Sequence, residues 1–179
     1  MEYKELEKIA KKCGFTYTAP LAVSTMQMRQ DVRDMCAQNT CGQYGKNWCC
    51  PPGCGDLETC QKNVNACKDG ILVQTVGALE DEMDGEGMME AQAEHAEHFL
   101  AMVDRLHELG VPMLPLGAGT CTRCKTCTYP DAPCRFPEKQ ISSMEAYGML
   151  VMQVCKDNHL DYYYGPTSIA YTGCFLLKE

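Results

Sequence analysis

Residues 70–116, GILVQTVGALEDEMDGEGMMEAQAEHAEHFLAMVDRLHELGVPMLPL, carry the change of period that decides the fold. Gly70-Ile-Leu-Val-Gln-Thr-Val-Gly77 is a short apolar run rich in β-branched residues and bounded by glycines, which predicts a buried strand. From Glu86 to Leu109 the apolar spacing lengthens. Met88, Ala91, Phe99, Met102, Val103 and Leu106 form a stripe at helical period, and Gly110 supplies the stop. Pro112 to Leu116 reads as a second buried strand, and Gly117-Ala-Gly119 as the turn after it. Strand, helix, strand is the unit of an α/β arrangement around one sheet.

The flanks extend this pattern. Tyr3 to Lys12 places Leu6, Ile9 and Ala10 on one helical face, with Gly14 as the stop. Phe15 to Ser24 mixes Thr, Tyr and Val around Pro20 and predicts an edge strand. Asp56 caps a helix to Lys68 that Gly70 closes. Ser142 or Ser143 is expected to cap a helix to about Lys156, with Glu145 at capping-box distance from Ser142. Tyr162 to Tyr164 and Ser168 to Leu177 read as the last strands, with Gly165-Pro166 as the turn between them. The expectation is an α/β fold: a single mixed sheet flanked by helices. One domain spans residues 1–179 and carries two cysteine-rich metal-binding loops, 36–60 and 117–140.

The composition narrows the chemistry. The chain of 179 residues is 45% hydrophobic and 22% charged, as soluble globular proteins are. The net charge of −8 disfavours nonspecific contact with nucleic acid or anionic lipid. It serves solubility, or it steers the protein towards a basic redox partner protein. Fourteen cysteines are the anomaly. MEYKELEKIAKK at residues 1–12 has no apolar core of a signal peptide, and no run of about 18 apolar residues exists. A cytoplasmic protein is therefore expected, where clustered cysteines bind metal or do redox work rather than form disulfides. So many oxidisable thiols hint at an anaerobe.

Cys121-Thr-Arg-Cys124-Lys-Thr-Cys127 is C-x2-C-x2-C, and Cys134 follows after six residues. In bacterial ferredoxins that triplet holds a cubane, because two intervening residues curl the chain so that successive thiolates reach neighbouring irons. The fourth cysteine comes later here than in ferredoxins and closes the same cluster or belongs elsewhere. The cofactor expected is an iron–sulfur cluster, [4Fe–4S], one or two per chain, with a four-cysteine Zn site as the alternative. Zinc sites more often use two separated C-x2-C pairs. Arg123, Lys125 and Arg135 would offset the charge of the thiolates, or are simply solvated.

Cys36, Cys41, Cys49, Cys50, Cys54 and Cys60 form the first set, and Cys50-Pro51-Pro52 echoes the Cys-Pro ending of remote cubane ligands. With Val32-Arg33, Cys41-Gly-Gln-Tyr-Gly45-Lys46, Cys134-Arg135, Pro137-Glu138 and Ser143-Met-Glu-Ala146, the two sets together resemble a family. It is the family of cysteine-rich predicted metal-binding proteins, a domain of unknown function. The resemblance runs from about Met1 to Leu177 and implies metal or iron–sulfur binding, with Cys36, Cys41, Cys50, Cys121, Cys124, Cys127 and Cys134 as ligands. Many members have a further cysteine before the glycine that is Gly148 here, where this chain has Tyr147. Cys54 and Cys60 are the local substitutes, with Cys60 slightly preferred. Side chains of adjacent residues diverge, so Cys49 is not expected on the same iron as Cys50. Cys13, Cys67, Cys155 and Cys174 fall in regular elements and read as small core residues.

Other motifs are missing. The histidines lack an H-E-x-x-H pattern, and His95 and His98 are expected on a solvated helix face. The acidic run Glu80 to Glu86 reads as a polar loop, and the twelve Met residues as core filler. Trp48 and Tyr44 are expected to shield the first site from water. No hydrolytic or nucleotide-binding constellation is present. The leading function is an iron–sulfur redox or electron-transfer protein with a redox partner, without nucleic acid or membrane, as a monomer or homodimer. The alternatives are a zinc-stabilised binding module and an enzyme with an open-iron cluster. Two metal sites are expected, unless both cysteine sets converge on one larger site.

Overall fold

The computed structural model describes residues 1–178. β2 (Cys67–Ala78) and β5 (Ser168–Lys178) pair antiparallel along nearly their whole lengths and form the middle of a five-stranded sheet. β1 (Tyr17–Leu21) lies outside β2, where Pro20, which lacks an N–H, sits on an edge strand. β3 (Met113–Gly117) lies antiparallel beside β5, and β4 (Ser142–Ser143) runs parallel to β3. The order is β1-β2-β5-β3-β4. Since β2 and β3 both oppose β5, they are parallel to each other. α4 (Gly85–Glu108) is the crossover between them, and β5 fills the slot left open. The sheet is mixed and the fold is α/β.

Alternate residues of the central strands face opposite layers, and this divides the core in two. Ile71, Val73 and Phe175 pack with Leu6 and Ala10 of α1 (Tyr3–Lys12) and with Phe99, Met102, Val103 and Leu106 of α4. Leu72, Cys174 and Leu176 pack on the other face. Their partners include Cys60 and Val64 of α3 (Leu57–Asn65), Val154 and Cys155 of α5 (Val151–Asp157), and Met144 and Met149 between β4 and α5. Asp56 caps α3 by accepting a hydrogen bond from the Thr59 N–H at 2.8 Å. Residues 67 and 68, expected at the end of that helix, instead begin β2.

Two expectations fail at the C-terminal end. The helix predicted from Ser142 or Ser143 to about Lys156 starts only at Val151, because Ser142 and Ser143 pair with Leu116 and Gly117 as β4. Ser143 does cap, with Oγ accepting from Ala146 N–H at 3.0 Å, but it caps a single turn. Gly148, at φ 82°, ends that turn: its own N–H reaches Glu145 O and the Met149 N–H returns to Met144 O. Glu145 therefore completes no capping box with Ser142. The second failure is Tyr162–Tyr164, which forms no strand. β2 already has β1 and β5 on its two edges, so the segment attaches by side chains instead. Tyr164 Oη donates to Gln74 Oε1 at 2.8 Å, and its ring stacks on Tyr17.

α2 (Gln30–Ala37) closes one side and delivers the chain to the first cysteine loop, which ends at the Asp56 cap. The second cysteine loop is the connection from β3 to β4.

Candidate metal centre

The two loops dock on each other through Asn47, Trp48 and Thr120. Asn47 is buried, and its Oδ1 accepts the backbone N–H groups of Cys49 and Cys50 at 2.9 and 2.8 Å. Its Nδ2 donates to Thr120 Oγ1 at 3.0 Å, across the interface. Trp48 donates its indole N–H to Ala132 O at 3.0 Å and stands edge-on to Tyr129, with centroids 4.8 Å apart. Gln140 reaches back to Trp48 O at 2.9 Å. Trp48 lines the cavity of the second set and also the cleft beside Cys54 of the first. Tyr44 stays in the first loop and is exposed. Gly53 has no room for a Cβ, which would strike Asn47 O.

Cys121, Cys124, Cys127 and Cys134 line one cavity of about 320 Å³ in this interface. Lys46, Trp48, Arg123, Lys125 and Phe136 complete much of its wall, and Cys49 opens into it as well. The Cys49 thiol hydrogen-bonds Cys121, which drives the Cys121 thiol down to about 6; the Arg123 and Ile141 N–H groups and the Arg123 charge act in the same direction. Cys49 is pushed up by that bond and by burial. Arg123 is held rather than solvated. Its Nη1 binds both oxygens of Asp104 on α4 at 2.8 and 3.0 Å, and Lys139 joins the same carboxylate at 3.0 Å. Arg123 Nε and Nη2 are buried without a protein partner, so cationic donors remain beside the cavity. Arg135 ties the loop together by donating to Thr126 O at 2.7 Å.

The first set gathers around Arg33 of α2 and the turn closed by Gly148. Arg33 donates to Ala146 O at 2.8 Å, to Cys60 Sγ at 3.6 Å and to Gly55 O. Cys54 Sγ lies 3.7 Å from Ala146 O and Cys36 Sγ donates to Glu145 O at 3.8 Å, so α2, the loop and the turn converge. The hydrogen bond from Cys54, followed by that from Arg33 and its charge, holds the Cys60 thiol down to about 7. Cys54 is pushed up by the same bond and by burial. Burial raises Cys36 against the pull of Arg33, while Cys50 and Cys41 add like charge nearby. Tyr147, standing where relatives were expected to place a cysteine, is raised to about 12 by burial. Cys60 and Cys54 add to that shift, and Asn63 donates to its hydroxyl at 3.2 Å. The substituted position thus faces both cysteines proposed to replace it.

The family described as predicted metal-binding protein (DUF2284) matches residues 19–177. The chain belongs to the DUF2284 family. No curated protein and no solved structure matches it. Among the described residues of this DUF2284 protein, no three His, Cys, Asp or Glu side chains converge on a single metal-ion position. The four cysteines of the second set instead line one cavity of about 320 Å³, and a set of four thiols is donor chemistry that suits zinc or an iron–sulfur cluster. The fourteen cysteines are free thiols. Cys67, Cys155 and Cys174 are buried, and Cys13 caps α1. No helix among the described residues is long and apolar enough to cross a membrane.

His95 and His98 do not lie on a solvated face. His95 is 1% exposed, and both histidines place Nδ1 on Thr75 Oγ1 of β2, at 3.1 and 3.0 Å. His95 fills the gap in the apolar stripe between Ala91 and Phe99, and burial lowers it to about 4. Sequence reasoning also gave Asn47, Thr120 and Arg33 no role, although an Asn two residues before Cys49 is the spacing of an Asx turn.

Proposed function

We propose that this protein is a cytoplasmic iron–sulfur redox protein that carries electrons to or from a partner protein. The observation that carries the reading is the meeting of Cys121, Cys124, Cys127 and Cys134 around one cavity of about 320 Å³. A single zinc ion needs four sulfurs within about 2.3 Å of one point, whereas a cubane spreads its thiolates around a larger core. The second centre is assigned to these four residues. The first is assigned to Cys36, Cys41 and Cys50, with Cys54 or Cys60 as the fourth ligand. A bound cluster supplies one-electron transfer. The residues around it hold the thiolates, balance their charge through Arg33, Arg123 and Lys125, and limit water with Trp48. The Cys121 thiol is pulled below the ordinary cysteine value by its Cys49 neighbour, and Cys60 by Cys54 and Arg33, which favours the deprotonated sulfur that a metal takes. The net charge of −8 suits docking to a basic redox partner. A thiol-rich carrier of this kind suits a reducing, oxygen-poor cell.

Purification without oxygen, followed by iron, zinc and acid-labile sulfide analysis, tests the reading. Brown protein with iron and sulfide in equal amounts supports it. Colourless protein with stoichiometric zinc replaces it with a zinc-stabilised binding module.

One observation favours a catalytic variant of the same reading. A cleft of about 590 Å³ opens beside Cys54, with Asn63, Tyr147, Glu138, Gln140 and Lys178 among its lining. If neither Cys54 nor Cys60 ligates the first centre, an iron there is open to a small polar substrate from this cleft. Cys54→Ala and Cys60→Ala with unchanged iron content would single out that variant.

A further inference from the structure

His95 has one ring nitrogen that its neighbours leave over. The side chain is 1% exposed, and Nδ1 is taken by Thr75 Oγ1 at 3.1 Å. Nε2 is buried and has no hydrogen-bond partner among the described residues. Phe15, Phe99 and Tyr171 stand around the ring with centroids 5.7, 5.8 and 6.2 Å away, and the Tyr171 hydroxyl is spent on Met88 O. The ring also lines a recess of about 20 Å³, whose wall includes Gly117, Ala118, Thr120, Cys121 and Thr122. Cys121 packs there against the core layer that holds Phe99. A buried nitrogen left unpaired costs free energy, and a water needs roughly 10–15 Å³ and polar partners. The recess admits one water and no larger ligand.

The direction of that water's hydrogen bonds is set from the surface inward. His98 also places Nδ1 on Thr75 Oγ1, at 3.0 Å, so one hydroxyl serves two imidazoles. A hydroxyl has a single proton. With both rings neutral, one Nδ1 receives that proton and the other brings its own. Glu94 Oε1 lies 3.9 Å from His98 Nε2, and a carboxylate there favours the tautomer with its proton on Nε2. His98 Nδ1 is then the bare acceptor, Thr75 donates to it, and His95 Nδ1–H donates to Thr75. His95 Nε2 is left as an acceptor.

We propose that His95 Nε2 holds a single water in this recess and that the water gives its second O–H to Cys121 Sγ. Among the other side chains of the recess that carry a donor or acceptor, Thr120 Oγ1 already accepts from Asn47 at 3.0 Å and Thr122 is exposed, which leaves the Cys121 sulfur. The water site itself needs no metal. Its effect on the second centre rests on the iron–sulfur reading of Cys121, Cys124, Cys127 and Cys134. His95 is a positioning residue: it acts on that centre through the water, and Thr75 and His98 set which way the water points. A hydrogen bond donated to a ligand sulfur stabilises the reduced, more negative state, so this water raises the potential of the second centre.

The test begins with full-length, reduced, metal-free protein whose histidine nitrogens are isotope-labelled. Long-range proton–nitrogen correlation at pH about 8, above the ordinary histidine value, reads the tautomers, with the His95 signals identified by their loss in His95→Gln. The expected result is His95 protonated on Nδ1 and bare on Nε2, with His98 the reverse; a proton on His95 Nε2 overturns the proposal. A crystal structure of the same metal-free protein should show one water within hydrogen-bond reach of His95 Nε2, and a recess without it overturns the site. Two substitutions then split the functions of the ring. His95→Asn keeps the reach to Thr75 and gives up the recess, whereas His95→Gln keeps the recess and gives up Thr75. In protein isolated without oxygen, with iron and sulfide counted first, redox titration should show one centre shifted downward in His95→Asn and most of that shift restored in His95→Gln. Equal shifts in both variants, or none, reduce His95 to packing and overturn its role. Protein without iron and sulfide overturns the iron–sulfur reading and the effect on a potential with it, while the tautomers and the water decide the site on their own.

Discussion

Replacing Asn47 by alanine tests whether one side chain holds the two loops together. Asn47 is buried, accepts two backbone N–H groups at 2.9 and 2.8 Å, and donates to Thr120 at 3.0 Å. Alanine leaves both N–H groups of the buried Cys49 and Cys50 without their acceptor. Each stranded donor costs about 1–3 kcal/mol. The neighbouring cavity can admit a water to one of them, which brings the expected loss to about 2–4 kcal/mol. At about 2–4 °C per kcal/mol for a chain of this size, the melting temperature should fall by roughly 5–15 °C. Asn47→Asp keeps the acceptor and gives up only the donor to Thr120 and Gln43, so it should recover more than half of the loss. The assay is urea unfolding followed by circular dichroism, on metal-free protein kept reduced, so that no metal masks the effect. Asn47→Ala within about 0.5 kcal/mol of the parent, or Asn47→Asp no better than alanine, would refute the assignment of Asn47 as the clamp.

Three further outcomes are expected. Cys124→Ala should lower the soluble yield and melting temperature of anaerobically isolated protein more than Cys41→Ala, because Cys124 lies in the β3–β4 connection that ties two strands of the sheet and Cys41 is exposed in the first loop; equal losses would reverse the structural and functional roles of the two sets. His95 is held at about 4 against an ordinary value of 6.5, so between those values the unfolded chain binds a proton that the folded one refuses. Its contribution is complete above pH 6.5 and is lost as the pH falls towards 4, about 3 kcal/mol in all, and His95→Gln in metal-free protein should flatten the stability profile by that amount. Gly148→Ala should cost at least about 1–2 kcal/mol in urea unfolding: φ is 82°, and a Cβ would come within 2.7 Å of Leu57 Cδ2 and 3.0 Å of Arg29 O, so a neutral result would mean the turn is free to move.

Local pattern was enough for most of the fold. The apolar run at Gly70–Gly77, the helix of 85–108, the Asp56 cap, the edge strand around Pro20 and the strand from Ser168 are set by side-chain period and by residues that start or stop an element through their own backbone chemistry. Those signals act over a few residues and survive any tertiary context that agrees with them. The C-x2-C-x2-C triplet is legible for the same reason: its geometry lies within one turn of chain. Tertiary structure decided the rest. Ser142 and Ser143 could cap a helix or pair with β3, and the free edge beside Leu116 and Gly117 decided for the strand. His95 looks polar in a list of residues, but Thr75 across the sheet makes its burial tolerable. The sequence separates Cys49 from Cys50, because adjacent side chains diverge and only Cys50 precedes a proline, but it does not say what each thiol meets. Asn47 grips both backbone N–H groups, and the docking of Thr120 from 70 residues away sets Cys50 against the second loop, a contact that no short-range pattern encodes.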